Sequence, residues 1–168
     1  MAGNAARVAA LLKDRADIEY VSNERTVLQA AIYEVGSINP RNHVEVVKLL
    51  LDRGAKLEGR KGAKGTALFT AVMLNGIVAQ TADQIEVVKM LLEHGARTGP
   101  PPDSQDTPLH AAVYALHMDA VRLLIAHGAD VNARDSYGAT PLQVVKDAIG
   151  DGKEKNAMIA VLKAAGAQ

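Results

Sequence analysis

The chain has 168 residues, enough for one well-buried domain or one short array of repeats. Its 19 Lys and Arg balance 19 Asp and Glu, so no global charge draws it to nucleic acid or an anionic membrane, and any electrostatic bias is local. Cysteine is absent, which excludes disulfides and thiol catalysis, and the N-terminal apolar run, Val8 to Leu12, is far short of a signal-peptide core or a membrane span; a cytoplasmic protein with no membrane partner is expected.

In chain order, the first element is a helix from Asn4 to Asp14 with Val8, Leu11 and Leu12 as its apolar stripe. No companion helix precedes it, so residues 1–21 read as half a structural unit, either a cap on a stack or the edge of a cut made in a longer protein. Asn4, Arg7, Lys13 and Asp14 supply part of the polar outer face that an array end needs. Thr26 opens the next helix, and a second helix closes on Leu50-Leu51-Asp52-Arg53-Gly54-Ala55. Thr66 and Leu91-Leu92-Glu93-His94-Gly95-Ala96 bracket the following pair. Thr107-Pro108-Leu109-His110-Ala111-Ala112 opens the next, which ends at Leu123-Leu124-Ile125-Ala126-His127-Gly128-Ala129-Asp130-Val131-Asn132. Thr140-Pro141-Leu142 and Val161-Leu162-Lys163-Ala164-Ala165-Gly166-Ala167 bound the last, whose Ala-rich close with Lys153, Glu154, Lys155 and Lys163 nearby reads as a true terminus.

Gly54 leads to Thr66, Gly95 to Thr107 and Gly128 to Thr140, 12 residues each time, and a fixed interval of this kind marks a repeat array. Each Thr is a natural N-cap, with Pro108 and Pro141 at the first helical position, where a missing amide hydrogen costs nothing; Val27 and Ala67 replace that Pro in the weaker copies. Gly54, Gly95, Gly128 and Gly166 stand where a left-handed C-cap favours a residue without a β-carbon, and Arg15 takes that slot in the first half unit, making its turn atypical. Val8, Val47, Val88, Val121 and Ile159 all fall seven residues before that slot, which predicts one branched core residue per second helix.

The opening Thr-Pro-Leu-His-x-Ala and the closing Leu-Leu-x-x-x-Gly-Ala-Asp-Val-Asn resemble the ankyrin repeat, and the resemblance covers essentially the whole chain. It implies an all-α solenoid of stacked helix-turn-helix units joined by β-hairpin-like loops. The units are approximately 1–21 (the half unit), 22–61, 62–102, 103–135 and 136–168. In the family His110 would hydrogen-bond neighbouring hairpins together, and partners commonly lie on the concave side, against hairpin tips and the exposed positions of each first helix.

From Thr to Gly the regular unit takes 21 residues (Thr107 to Gly128), whereas the others take 28, 29 and 26. The excess falls between the two helices of a unit, around Gly36 to Asn42, Asn75 to Ala82 and Gly150 to Glu154. Insertions repeated at one place map to one edge of a stack and can be functional, although surface loops also accept length cheaply.

Sites of chemistry are sparse. Gly59-Arg60-Lys61-Gly62-Ala63-Lys64-Gly65-Thr66 has the composition of a phosphate loop but ends Lys-Gly-Thr where the nucleotide signature requires Gly-Lys-Ser/Thr, and no strand precedes it. Only a weak anion preference follows, from Arg60, Lys61 and Lys64 beside the positive end of a helix. His94 and His127 occupy equivalent positions in adjacent units, about 8 to 10 Å apart, too far to share a zinc held at about 2 Å. His43 and His117 precede second helices. Ser22, Ser37, Ser104 and Ser136 have no His and carboxylate at a recognisable spacing. No catalytic residue, metal or cofactor is expected.

The surface is more informative. Seven residues after the opening Thr stand Tyr33, Met73, Tyr114 and Asp147, and one further on Glu34, Leu74, Ala115 and Ala148. In a chain with 3% aromatic residues, a row of Tyr, Met and Tyr with Leu74 beside it suits an interface, unless the inserted loops fold back over it. The hairpin tips add charge: Arg25, Arg60, Lys61 and Lys64 make the early tips basic, Asp103, Asp106 and Asp135 make the later ones acidic, and Tyr137 projects from the last. The expected function is non-covalent binding of another protein by a monomer, with direct nucleic-acid or anion recognition a lesser alternative; the competing class is a regulatory or targeting segment of a larger enzyme, channel or secreted effector.

Overall fold

The computed structural model describes residues 3–35, 41–58, 65–73, 82–147 and 152–168. Helix α1 (Gly3–Lys13) is followed by a two-stranded hairpin, β1 (Val21–Ser22) and β2 (Arg25–Thr26), and then by four helix pairs. These are α2 (Val27–Val35) with α3 (Arg41–Asp52), α4 (Ala67–Met73) with α5 (Ala82–Glu93), α6 (Pro108–Tyr114) with α7 (Met118–Ala126), and α8 (Pro141–Asp147) with α9 (Lys153–Ala164). The first helices α2, α4, α6 and α8 pack side by side in one row, and α1, α3, α5, α7 and α9 pack in a second row behind it. The strands pair antiparallel, Val21 with Thr26 and Ser22 with Arg25, around Asn23 and Glu24 at φ 50° and 61°, the backbone of a tight hairpin turn. Among the described residues this is the only hairpin with ladder pairing.

The punctuation has a physical basis. Thr107 caps α6 by accepting from the His110 amide at 3.3 Å, and the His110 ring returns the bond by accepting from the Thr107 amide, also at 3.3 Å. Thr26 with Gln29 and Thr140 with Gln143 make the same reciprocal box. Thr66 accepts from the Phe69 amide at 3.1 Å, but a phenyl ring can return nothing. At the other end, Gly54, Gly95, Gly128 and Gly166 adopt φ of 78°, 86°, 80° and 94°, and in each the following Ala amide reaches back to a helix carbonyl at 3.0 Å. Arg15 makes the same turn at φ 63°, so the first half unit has the ordinary geometry with a strained residue in it. Leu116 turns the chain out of α6 in the same way at φ 55°.

Leu28, Leu50, Leu68, Leu91, Leu109, Leu124, Met158 and Leu162 are fully buried between the rows. Val47, Val88 and Val121 are buried completely, as their spacing predicts. Val8 and Ile159 are only half-buried, a correction with a simple cause: they stand in the outermost helices, where a neighbour is present on one side only.

Two other expectations change. Much of the added length lies in helices rather than in loops, since α3, α5 and α9 each span 12 residues against 9 in α7. Arg41, Asn42, Ala82, Lys153 and Glu154 are helical; residues 36–40, 75–81, 150 and 151 of the same segments lie outside the described residues. His43 lies inside α3 and does not precede it.

Side chains tie successive pairs together at recurring positions. Glu19 accepts from the Lys56 amide at 2.8 Å, Glu58 from the Arg97 amide at 3.2 Å and Asn132 from the Gln168 amide at 2.9 Å. Gln29 donates to the Gly65 carbonyl at 3.4 Å, and His110 Nε2 reaches the Ala139 carbonyl at 3.1 Å. The corresponding positions between the α4–α5 and α6–α7 pairs are held by Gly99 and Phe69, neither of whose side chains can hydrogen-bond.

Candidate functional site

The first-helix row leaves large side chains in water. Tyr33 is 42% exposed, Met73 50%, Tyr114 83% and Tyr137 94%. These are the ends of α2, α4 and α6 and the tip of the last hairpin; the segments 36–40 and 74–81 that follow the first two lie outside the described residues. Met73, Tyr114 and Asp147 line one groove of 870 Å³ together with Asp106, Asp135 and Tyr137. Phe69, His110, Ala111, Ala139 and Val144 also line it. Among the described residues, no Lys or Arg lines it.

Phe69, Ala111 and Val144 are the groove residues that spacing from Thr did not bring forward. They stand three or four positions after the Thr, and on a helix those are the neighbours of position seven. At position eight, Ala115 is the half-buried C-cap of α6 and is not in the groove. Leu74, Ala148, Arg60, Lys61 and Lys64 lie outside the described residues, as does the side chain of Glu34.

The charged tips divide by what they already do. Arg25 stacks its guanidinium 4.3 Å from the centre of the Tyr33 ring, at the α2 end of the row and outside the groove. Asp103 accepts from the Gly65 amide through both carboxylate oxygens at 3.2 Å. Asp106 accepts from the Ser136 amide at 2.9 Å and from its hydroxyl at 2.8 Å. Asp135 braces its own turn, accepting from the Tyr137 and Ala139 amides at 2.9 and 2.8 Å through one oxygen. Asp103, Asp106 and Asp135 therefore hold hairpins together whatever else they meet. Asp147 is exposed and makes no hydrogen bond or ion pair with the described residues.

The histidines have structural partners. His110 accepts at Nδ1 from the Thr107 amide, which leaves Nε2 as the donor to Ala139 and fixes the tautomer. His94 and His127 each place Nδ1 2.8 Å from the carbonyl four residues back. His117 stands at the N-cap position of α7 without a capping side-chain bond, its Nδ1 buried and without a partner among the described residues, and burial holds its pKa below the ordinary value. Ser104 and Ser136 hydroxyls are engaged with the Asp106 amide and carboxylate. Among the described residues no group of three or more His, Asp or Glu could hold a metal ion, and no helix is long and apolar enough to cross a membrane.

The family model for ankyrin repeats (3 copies) matches residues 1–101 and 77–145 of this chain. The chain belongs to the ankyrin-repeat family. Ankyrin-repeat relatives include the ankyrin repeat and SOCS box protein 11 of Danio rerio, 35% identical over 107 residues, which cover 64% of this chain and 33% of that protein. The ankyrin repeat-containing protein P1E11.10 of Schizosaccharomyces pombe is 50% identical over 38 residues, covering 23% of this chain and 18% of its own length. Alpha-latrotoxin-Lg1a of Latrodectus geometricus is 25% identical over 107 residues, 64% of this chain and 8% of the toxin. The chain thus spans a third or less of the length of the relatives it matches. Ankyrin repeats are in general protein-binding modules and generally non-catalytic.

Proposed function

We propose that this ankyrin-repeat chain is a non-catalytic, monomeric module that holds another protein on its first-helix face, the side bearing the hairpin tips and the groove. The observation that carries this reading is the row of Tyr33, Met73, Tyr114 and Tyr137, all exposed, the last three lining one groove. Large aromatic and Met side chains left in water on one face are the material of binding hot spots. Balanced charge and a lining without Lys or Arg among the described residues argue against nucleic acid as the partner. The five units 1–21, 22–61, 62–102, 103–135 and 136–168 act as one surface in this reading.

Replacing Tyr33 or Tyr114 by Ala weakens binding of a captured partner by about 1 kcal/mol or more while the melting curve is retained. Shortening residues 36–42 and 75–82 is the matched control. Binding that survives both tyrosine changes and disappears with the loops moves the site to the other edge of the stack.

A second reading has its own support, since the relatives are three or more times longer than the matched segment. In it the chain is the regulatory or targeting part of a larger enzyme, channel or secreted effector. Expression of the full gene, followed by deletion of this segment, separates the two: loss of localisation or regulation with retained activity elsewhere favours the second.

A further inference from the structure

The groove has a polarity along its length. At its α4 end stand Phe69 and Met73; at its α8 end stand Val144 and Asp147, with Asp106, Asp135, Tyr114 and Tyr137 between and above. Among the described residues, one end is apolar and the other carries carboxylates beside exposed aromatic rings, with no Lys or Arg in that part of the lining to neutralise them. Asp135 and Asp106 each have one oxygen committed to hairpin amides or hydroxyls and a second that accepts nothing from the described residues. Asp147 accepts nothing from the described residues at either oxygen.

From this arrangement we infer that the groove takes an extended peptide segment of the partner carrying an arginine at the α8 end and an apolar side chain at the α4 end. The inference rests on the first-helix face being the binding face and adds the chemistry of what binds there. Guanidinium is the cation that fits: its plane stacks on a tyrosine ring while its fork meets a carboxylate, and it sheds water more readily than an ammonium. Extended backbone fits by length. Two helix spacings separate α4 from α8, roughly 16 to 20 Å at the usual packing distance, and extended chain covers that in about five or six residues. The spacing between the apolar anchor and the arginine is therefore part of the inference. The stem of the arginine lies along Tyr114 or Tyr137, which accounts for two large rings being left in water.

The test is a random dodecapeptide library displayed on phage and selected on the full immobilised chain, followed by affinity measurement with the strongest sequence as a labelled synthetic peptide. The expected selection places arginine about five or six positions from an apolar residue. Replacing that arginine by citrulline, its uncharged isostere, raises Kd roughly tenfold or more. Asp147→Asn and Tyr114→Ala on the chain also raise it, and with the citrulline peptide Asp147→Asn adds little further. Asp119→Asn, an exposed acid in the first turn of α7 in the other row, leaves Kd unchanged. Met73→Ser weakens the parent peptide through its apolar end, and thermal melting confirms that each variant folds. Selected peptides without a cation that still lose affinity on Tyr114→Ala overturn the arginine and leave the face standing. Peptides indifferent to both Tyr114→Ala and Met73→Ser overturn the face as well. A library that yields no specific peptide also counts against the inference, because a groove built for extended chain selects one.

Discussion

At the scale of single residues, Arg15 is a strained position where the other units use glycine. Four equivalent turns use glycine at φ of 78° to 94°, and Arg15 accepts the same left-handed backbone at φ 63°. A side chain with a β-carbon pays about 1 kcal/mol or more there. Arg15→Gly is therefore expected to slow hydrogen exchange of the α1 amides by about 1 kcal/mol of opening free energy, less what glycine adds to the entropy of the open chain. Unchanged or faster exchange in α1 would mean that the arginine side chain gains as much as its backbone loses. The position of that turn was legible from the spacing of Val8, since the slot recurs seven residues later even where glycine is missing. The duties of Asp103 and Asp106 were not legible. Each binds a hairpin 30 or more residues away, Gly65 and Ser136, and nothing local distinguishes such a carboxylate from one that waits for a ligand.

At the scale of elements, Thr and Gly told where helices start and stop because each solves a local problem, an orphan amide at one end and a left-handed turn at the other. How the added residues divide between helix and connection was not open to the same argument. Arg41, Asn42, Ala82 and Asp83 could continue a helix or leave it, and tertiary packing decided. The groove was half legible: position seven after Thr was found, and positions three and four, its true neighbours on a helix, were passed over for position eight. The tie from Glu19, Glu58 and Asn132 to the next turn is likewise visible once aligned, each acceptor standing four residues after Arg15, Gly54 or Gly128. Gly99 is the fourth member of that set. Its φ lies outside the left-handed range and an added β-carbon meets nothing within 4 Å. Gly99→Asn is expected to place an acceptor near the Asp130 amide and raise the unfolding free energy by about 1 kcal/mol, measured by urea titration. A neutral or destabilising result would show that the Asp130 amide is turned away from this position.

At the scale of the whole molecule, the α4–α5 and α6–α7 pairs meet without the side-chain tie at Gly99 and without the ring or amide bond that His110 and Gln29 make elsewhere, Phe69 standing in its place. Apolar packing continues across that boundary through Leu68, Leu91, Leu109 and Leu124. In a stack whose cohesion is a sum of nearest-neighbour terms, this boundary, held by the Asp103 carboxylate on the Gly65 amide but lacking both recurring ties, is expected to open before the one on either side of it. Native-state exchange is expected to sort amides into two groups, with Leu91 and Leu92 in one and Leu123 and Leu124 in the other, their opening free energies differing by about 1 kcal/mol or more. Gly99→Asn should narrow that difference. One common opening free energy across α4 to α7 in the parent chain would show that apolar contact alone makes the boundary as strong as the rest.

The groove crosses this same boundary, with Phe69 and Met73 on one side and Asp106, His110 and Tyr114 on the other. An occupant that grips both sides is a splint across a weak joint: part of its free energy of binding appears as cohesion of the protein itself. Strengthening the joint in advance would leave less slack for the occupant to take up, so an ankyrin stack tightened at residue 99 would bind the same segment with a smaller entropic penalty and release it more slowly.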